Sequence, residues 1–258
     1  MPSADSERGP AWLVLPTFEE AENLAPIVAA ILAKLPASAR VLIVDDNSPD
    51  GTGEIADRLA AEREQVEVLH RPRKEGLGPA YIAGFRRALA AGAGLILEMD
   101  ADFSHEPAYL PRLLEAAERA DLVIGSRYVS GGGVGDWGAV RRALSHGGSA
   151  YARLVLGVGV RDMTGGFKCF RREVLETIDL DSVRARGYAF QVELTYRAIQ
   201  HGFKVTEVPI VFRDRRVGSS KMDRSIVLEA IWRVPLLRFG DGDGKRRRAS
   251  ASDRRYTF

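Results

Sequence analysis

Apolar residues along this chain alternate between two rhythms. Trp12, Leu13, Val14 and Leu15 form a short unbroken run, after which Leu24, Ile27, Val28, Ile31, Leu32 and Leu35 recur at spacings of three and four. The run predicts a buried strand and the spacing an amphipathic helix. Val41, Leu42, Ile43 and Val44 then precede the helical set Ile55, Ala56 and Leu59. A third run at Val66, Val68 and Leu69 precedes a helix over 79–91. A fourth at Leu95, Ile96 and Leu97 precedes Leu110, Leu113, Leu114 and Ala117, and a fifth is Leu122, Val123 and Ile124. Strand alternating with helix predicts an α/β domain with a mostly parallel sheet covered on both faces.

Past the fifth strand the rhythm loosens. Gly131, Gly132, Gly133 and Gly135 predict a mobile loop, followed by a helix over 149–155 and a strand-like stretch over 162–170 with a glycine turn. A helix over 190–201 carries Gln191 and Glu193, and residues 203–212 predict a strand. Arg213, Arg215, Arg216, Gly218, Ser219, Ser220 and Lys221 then form a basic loop of the kind that grips phosphates, or an ordinary solvated charge run. Residues 226–239 are apolar nearly all round, with Trp232 and flanking arginines. That pattern suits a helix lying in a membrane interface, or one docked on the core.

Open parallel sheets bind ligands at the carboxyl ends of their strands, so the polar residues that end each run are the candidates for chemistry. Asp100 and Asp102 follow the fourth strand. If the backbone stays extended through Ala101, both carboxylates point to one side and can share a cation. Oxygen-only ligation of this kind suits Mg²⁺ or Mn²⁺ held jointly with a substrate diphosphate. A lone Asp-x-Asp also reads as a turn in which Asp102 is the first residue. Asp46 ends the second strand as a candidate nucleoside contact, beside turn formers Asn47, Ser48 and Asp50. Thr17 and Glu20 have capping-box spacing, which competes with a ligand contact for Glu20.

The chain has 258 residues, 45% hydrophobic, enough for one catalytic domain with a C-terminal appendage. The expected division is a disordered 1–10, a catalytic domain over 11–222, an amphipathic interfacial helix over 223–240 and a basic disordered tail over 241–258. From Arg213 onward there are 13 Lys/Arg against 6 Asp/Glu, although the whole chain carries only +2, so basic character is a C-terminal property. A nucleic-acid binder is disfavoured by the near-neutral body. One cysteine and four scattered histidines exclude a disulfide framework and a zinc site. No signal-like or membrane-spanning apolar run is present, so a cytoplasmic protein with peripheral membrane contact is expected.

Several motifs, taken in order, carry a family resemblance. They are Pro-Thr-Phe-Glu-Glu-Ala-Glu-Asn-Leu from Pro16, Val-Asp-Asp-Asn-Ser-Pro-Asp-Gly-Thr from Val44, Lys-Glu-Gly-Leu-Gly-Pro-Ala-Tyr from Lys74 and Met-Asp-Ala-Asp-Phe-Ser-His from Met99. Gly-Ser-Arg-Tyr from Gly125, Thr-Gly-Gly-Phe-Lys from Thr164, and Arg215 with Gly218, Ser220 and Lys221 complete the series. The chain resembles glycosyltransferase family 2 and, within it, the polyprenol (dolichol) phosphate mannose synthases that lack transmembrane hairpins.

The resemblance implies a GT-A type, Rossmann-like fold and an inverting transfer of mannose from GDP-mannose to polyprenyl phosphate. It places Pro16, Phe18, Glu20 and Asp46 at the guanosine, and Asp100, Ala101 and Asp102 at the metal and donor diphosphate. Ser104 falls at a third metal position where relatives often have Gln, and Phe18 where they have Tyr. Arg127, Arg141, Arg215 and Lys221 are implied to handle donor and acceptor phosphates, and Lys168 to belong to the donor-binding set. The implied partners are a membrane surface and an interfacial helix or a membrane-embedded protein. The alternatives are a UDP-glucose-dependent polyprenyl phosphate glucosyltransferase, a synthase acting on a hydroxyl acceptor, and a non-catalytic sugar-nucleotide-binding module. A phosphate acceptor arrives already anionic, so no general base is required of the site.

Overall fold

The computed structural model describes residues 9–135, 137–183, 187–214 and 224–239, with backbone alone at Tyr188 and 224–231. The first five strands and the helices between them follow the apolar rhythm: β1 (Ala11–Thr17), α1 (Ala21–Leu32), β2 (Arg40–Asp45), α2 (Thr52–Glu62), β3 (Val66–His70), α3 (Leu77–Ala90), β4 (Leu95–Glu98), α4 (Leu110–Ala117) and β5 (Leu122–Ser126). The second half adds β6 (Gly133–Val134), α5 (Ala139–Leu156), β7 (Lys168–Arg171), α6 (Arg172–Thr177), α7 (Gly187–Gln200), β8 (Val205–Pro209), β9 (Val211–Phe212) and α8 (Arg224–Phe239).

Seven strands form one sheet in the order β3-β2-β1-β4-β7-β5-β8. All neighbours are parallel except β7, which runs antiparallel between β4 and β5. The expected mostly parallel α/β sheet is therefore present. Alternate residues of each strand feed opposite faces: Leu13 and Leu15 join a core with α1, α2 and α4, whereas Trp12 and Val14 join one with α3, α5 and α7. Helix α3 lies unusually close to the sheet, because a Cβ at Gly84 would meet Val14 Cγ1 at 2.3 Å.

Several local readings are corrected. Thr17 and Glu20 form no capping box: Glu20 is itself the residue preceding α1, and the first helical N–H, that of Ala21, donates to Asp50 Oδ2 at 3.2 Å. Thr17 Oγ1 turns instead to Asp45 Oδ1 at 3.3 Å. The glycine run is an ordered crossover in which β6 pairs with β9, and Gly132 lies so close to the end of β5 that a Cβ would meet Ser126 O at 2.5 Å. The single strand expected over 203–212 is two, belonging to different sheets, with Ile210 N–H donating to Ser126 O between them. Helix α5 starts ten residues before the expected 149, and only Lys168–Arg171 of the 162–170 stretch is strand. Pro10, placed in the N-terminal tail by composition, accepts from Gly94 N–H at 2.9 Å.

Helix α8 packs on α7 and α5, burying Val234 while Trp232 is 74% exposed. No helix among the described residues is long and apolar enough to cross a membrane. The expected N-terminal tail up to residue 8, the loop over 215–223 and the tail beyond 240 lie outside the described residues.

Candidate active site

The carboxyl ends of β2, β1, β4 and β5 and the entry to the antiparallel β7 meet along one edge of the sheet. A cavity of about 430 Å³ opens there. Pro16, Phe18, Glu20, Asp46, Asp100, Ala101, Asp102, Ser104, Arg127 and Arg141 all line it. Ten of the predicted site residues, drawn from 16 to 141, are thus brought to one wall.

At one end, past β1 and β2, Asp46 is buried and accepts from Arg71, which also holds Glu75 at 2.8 Å. Burial raises the Asp46 carboxyl above its usual range, and Arg71 only partly offsets this. The Lys74 ammonium sits 3.7 Å over the Phe18 ring, giving that end an aromatic face with a cation on it. Glu20 Oε2 accepts from Asn23 Nδ2 at 2.8 Å and its own N–H donates to Thr52 Oγ1 at 2.9 Å. Its side chain therefore reaches the cavity with its position set from both sides.

In the middle, the backbone leaves β4 at Glu98 and bends from Ala101 to His105, with Phe103 at φ 62°. The extension needed to align the two acids does not continue through Ala101. Asp102 Oδ1 accepts from Ser104 N–H at 3.0 Å, so it does begin a turn, and it lines the cavity as well. Asp100 Oδ1 accepts from Tyr81 OH at 3.3 Å. His105 anchors the bend: its Nδ1 accepts from Asp100 N–H at 3.2 Å while the ring stacks on Phe167, with centroids 5.0 Å apart. Burial lowers the His105 pKa to about 4 against the pull of Asp102, so the ring is neutral.

The Ser104 hydroxyl is buried and makes no hydrogen bond among the described residues. Two carboxylates and an orphaned hydroxyl facing one cavity fit a hard divalent cation that takes oxygen ligands and completes its shell from substrate and water. No cluster of three or more His, Cys, Asp or Glu suited to a metal exists among the described residues, so the protein supplies only part of such a shell.

At the other end, past β5, Arg127 is held by Asp162 through a bidentate pair, Nε to Oδ2 at 2.8 Å and one Nη to Oδ1 at 2.7 Å. The backbone N–H of Arg127 donates to the same carboxylate at 2.9 Å. Burial alone would raise Asp162, but the Arg127 charge and these hydrogen bonds hold it below the usual carboxylate range. Arg127 also donates to Thr164 Oγ1 at 2.9 Å. Arg141, on the first turn of α5, stacks over Trp137 at 4.2 Å and pairs with Asp214 at 2.8 Å.

Lys168 is a correction. It is fully buried beneath the cavity, does not line it, and donates to Gln191 O at 3.0 Å and Gln191 Oε1 at 2.5 Å, with Glu98 3.6 Å away. Antiparallel β7 turns this residue into the sheet's interior, so it supports the floor of the cavity. Arg215 and Lys221 lie outside the described residues.

Tyr81, His105, Asp162, Thr164 and Gln191 were not singled out for chemistry. Tyr81 reads as one apolar position in a helix. Asp162 had a signal, since an acid two residues before Thr-Gly-Gly sits at the mouth of a glycine turn, but its partner is 35 residues away.

Comparison with known proteins bears on the family and the fold. Residues 12–179 match the model of the family described as "Glycosyl transferase family 2". The chain is 50% identical over 224 residues to the polyprenol monophosphomannose synthase of Mycolicibacterium smegmatis, covering 86% of this chain and 84% of that protein. It is 49% identical over 227 residues to the undecaprenyl-phosphate mannosyltransferase of Micrococcus luteus, covering 88% and 92%. In fold it resembles the glucosyl-3-phosphoglycerate synthase of Mycobacterium tuberculosis, solved with Mn²⁺, UDP and glucosyl-3-phosphoglycerate, with TM-score 0.63, 20% identity, and 89% of this chain and 81% of that one covered. With a GT-A-like sheet, a cavity at the strand ends and these matches together, the chain belongs to glycosyl transferase family 2.

Proposed function

We propose that this chain is an inverting transferase that moves mannose from GDP-mannose to a polyprenyl phosphate. The observation that carries the reading is the order of chemistry along the cavity. An aromatic and carboxylate end formed by Phe18 and Asp46 leads to the Asp100 and Asp102 pair, and beyond it to the cationic end of Arg127 and Arg141. That order matches nucleoside, diphosphate and anionic acceptor laid out in a line. The two mannosyltransferases at about half identity, named for polyprenol and undecaprenyl phosphate, support the same acceptor class.

Asp46 offers an acceptor of hydrogen bonds to the base, and Phe18 a face for it. Asp100, Asp102 and Ser104 would hold Mg²⁺ or Mn²⁺, which when bound stabilises the negative charge developing on the departing diphosphate. Arg127, fixed by Asp162, and Arg141 orient the acceptor phosphate. Because that phosphate is already anionic near neutral pH, orientation takes the place of proton abstraction.

The membrane contact belongs to α5 and α8. Val140, Leu144 and Leu154 fall along one face of α5 and are 64–80% exposed, and Trp232, Leu236 and Phe239 repeat this on α8. An apolar face turned to solvent reverses the usual amphipathic arrangement and suits insertion at a lipid interface. Arg141 sits one residue from Val140, so the acceptor end of the cavity opens beside that face.

Initial rates with GDP-mannose or UDP-glucose, each with polyprenyl phosphate or the matching free polyprenol in vesicles, test the reading. Transfer from GDP-mannose to the phosphate alone is expected. Preference for UDP-glucose makes it a glucosyltransferase, and comparable transfer to the alcohol brings back a base-dependent synthase. In co-sedimentation with anionic vesicles, Leu144→Asp with Leu154→Asp should weaken binding by roughly tenfold or more, each leucine contributing on the order of 1.5–3 kcal/mol when buried. Unchanged, salt-insensitive binding points to a membrane-embedded partner instead.

A further inference from the structure

Gln191, on α7, is 2% exposed and lines the cavity, yet its carboxamide nitrogen makes no hydrogen bond among the described residues. Its orientation is not free. The Lys168 ammonium donates to Oε1 at 2.5 Å and to the backbone oxygen of the same residue at 3.0 Å. An ammonium has no acceptor capacity, so the oxygen end of the amide must face it and the NH₂ end must face away. Gly166 keeps that end uncovered: a Cβ there would lie 3.3 Å from Nε2, and Gly166 itself lines the cavity.

Of the two amide protons, one lies toward the Glu98 carboxylate, whose pKa burial raises to about 7 although Lys168 and Gln191 pull it down. Among the described residues no donor lies within normal hydrogen-bond reach of the Glu98 oxygens, the Lys168 ammonium being 3.6 Å away. The second proton is left for the cavity. A buried N–H without an acceptor costs roughly 1–3 kcal/mol, so a ligand oxygen that takes it up removes that cost.

The sheet order says which oxygen. Asp100 and Asp102 follow β4, Gly166 precedes β7, and Arg127 follows β5, in that spatial sequence. Gln191 therefore stands between the diphosphate end and the acceptor-phosphate end, where a group in transit between them must sit. A neutral donor suits an uncharged hydroxyl there, since the two anionic groups would be met by a metal on Asp100 and Asp102 and by Arg127 and Arg141.

We propose that the carboxamide of Gln191, locked by Lys168, donates to a hydroxyl of the transferred hexose and so determines which sugar is accepted. The proposal rests on the sugar-nucleotide reading above and goes beyond it by naming the residue that recognises the sugar.

Gln191→Glu keeps the oxygen that accepts from Lys168 and replaces only the donor, while Gln191→Met keeps volume and removes both ends. Calorimetry without acceptor compares GDP, GDP-mannose and a series of monodeoxy GDP-mannoses. Both variants should bind GDP within twofold of the wild type and lose roughly tenfold or more in affinity for GDP-mannose, the loss when a site built to hydrogen-bond a hydroxyl is left unpaired. One deoxy donor should bind worse than GDP-mannose to the wild type and equally well to Gln191→Met.

Equal loss of GDP and GDP-mannose affinity overturns the proposal, because a merely structural role would act on both. A deoxy series that loses affinity in parallel for wild type and Gln191→Met also overturns it. Wild type that binds GDP-mannose but fails to transfer it defeats the transfer reading and leaves this one standing, and wild type that binds neither GDP-mannose nor UDP-glucose defeats both.

Discussion

The two ends of the cavity each contain a buried arginine–aspartate pair, and the pairs behave oppositely. At the end past β1 and β2, proposed for the nucleoside, Asp46 receives one hydrogen bond from Arg71, which is shared with Glu75, and its carboxyl is pushed above the usual range by burial. At the end past β5, proposed for the acceptor, Asp162 receives two hydrogen bonds from Arg127 and a third from the backbone, and its carboxyl is held below the usual range. Asp162 is the more deeply buried of the two, yet the charge of Arg127, its hydrogen bonds and the nearby Lys168 outweigh that burial, whereas Asp46 has the like charge of Asp45 beside it. A charge that is poorly compensated keeps acceptor capacity for a ligand, as Asp46 does. One that is fully compensated serves to fix its partner, and Asp162 fixes a guanidinium that lines the cavity.

The midpoint of the cavity serves both ends, and a change there has the largest expected effect. Asp102→Asn keeps an oxygen to accept from Ser104 N–H, so the turn survives while an anionic ligand oxygen is lost. Metal-dependent transfer should fall by roughly 10²–10³-fold, a loss typical of one group removed from charge stabilisation at the leaving group. Initial rates with and without added Mn²⁺, beside an unchanged thermal melt, check it. Near wild-type rates would remove the metal from the reading.

Next is the acceptor pair itself. Asp162→Asn leaves the Arg127 guanidinium buried without its counter-charge and should destabilise the fold by about 3–5 kcal/mol in denaturant melts. The pH dependence follows the sign of the shift. A carboxyl held below 3.8 contributes stability that is fully present above 3.8 and is lost as pH falls through the lowered folded value. The gap between wild type and variant should therefore be widest at neutral pH and narrow on acidification below 3.8.

The same substitution at the other end should give the contrary result for stability. Asp46 is raised above 3.8, so its contribution is present below 3.8 and lost as pH rises through the folded value. Asp46→Asn should leave stability at neutral pH unchanged to within about 1 kcal/mol or slightly higher, while KM for GDP-mannose rises by roughly tenfold, the loss of a hydrogen bond to a charged group. Equal destabilisation by Asp46→Asn and Asp162→Asn would erase the contrast.

The smallest effect is expected at the rim. Lys74→Ala removes the cation over Phe18 and should raise KM for GDP-mannose only two- to fivefold, in line with about 0.5–1 kcal/mol for an exposed cation–π contact. A larger rise would mean that Lys74 meets the phosphates directly.

What the sequence determined by itself was whatever depends on local order. The strands β1 to β5 are apolar runs bounded by polar residues, and α1 to α4 are stripes of period near 3.6, so both were legible without neighbours. Asp46, Asp100 and Asp102 were legible as candidate site residues because each follows a strand at its carboxyl end, a place that topology alone makes a ligand site, whereas Arg127 entered through the family resemblance. The second half of the chain was harder to read because its order depends on residues far away in sequence. Of the four glycines read as a loose loop, Gly133 enters the ordered β6 once Val211 and Phe212 come alongside.

Tertiary structure alone decided what each charged side chain does. Lys168 belongs to a motif that implied a place in the donor site, and only the antiparallel insertion of β7 between β4 and β5 shows it turned inward to Glu98 and Gln191. Arg127 and Asp162, 35 residues apart, become one unit only when the turn before β7 folds back against β5. The physical reason is that apolar periodicity is set by geometry within one element, whereas the charge state and partner of a buried ionisable group are set by atoms a few ångströms away that arrive from other elements.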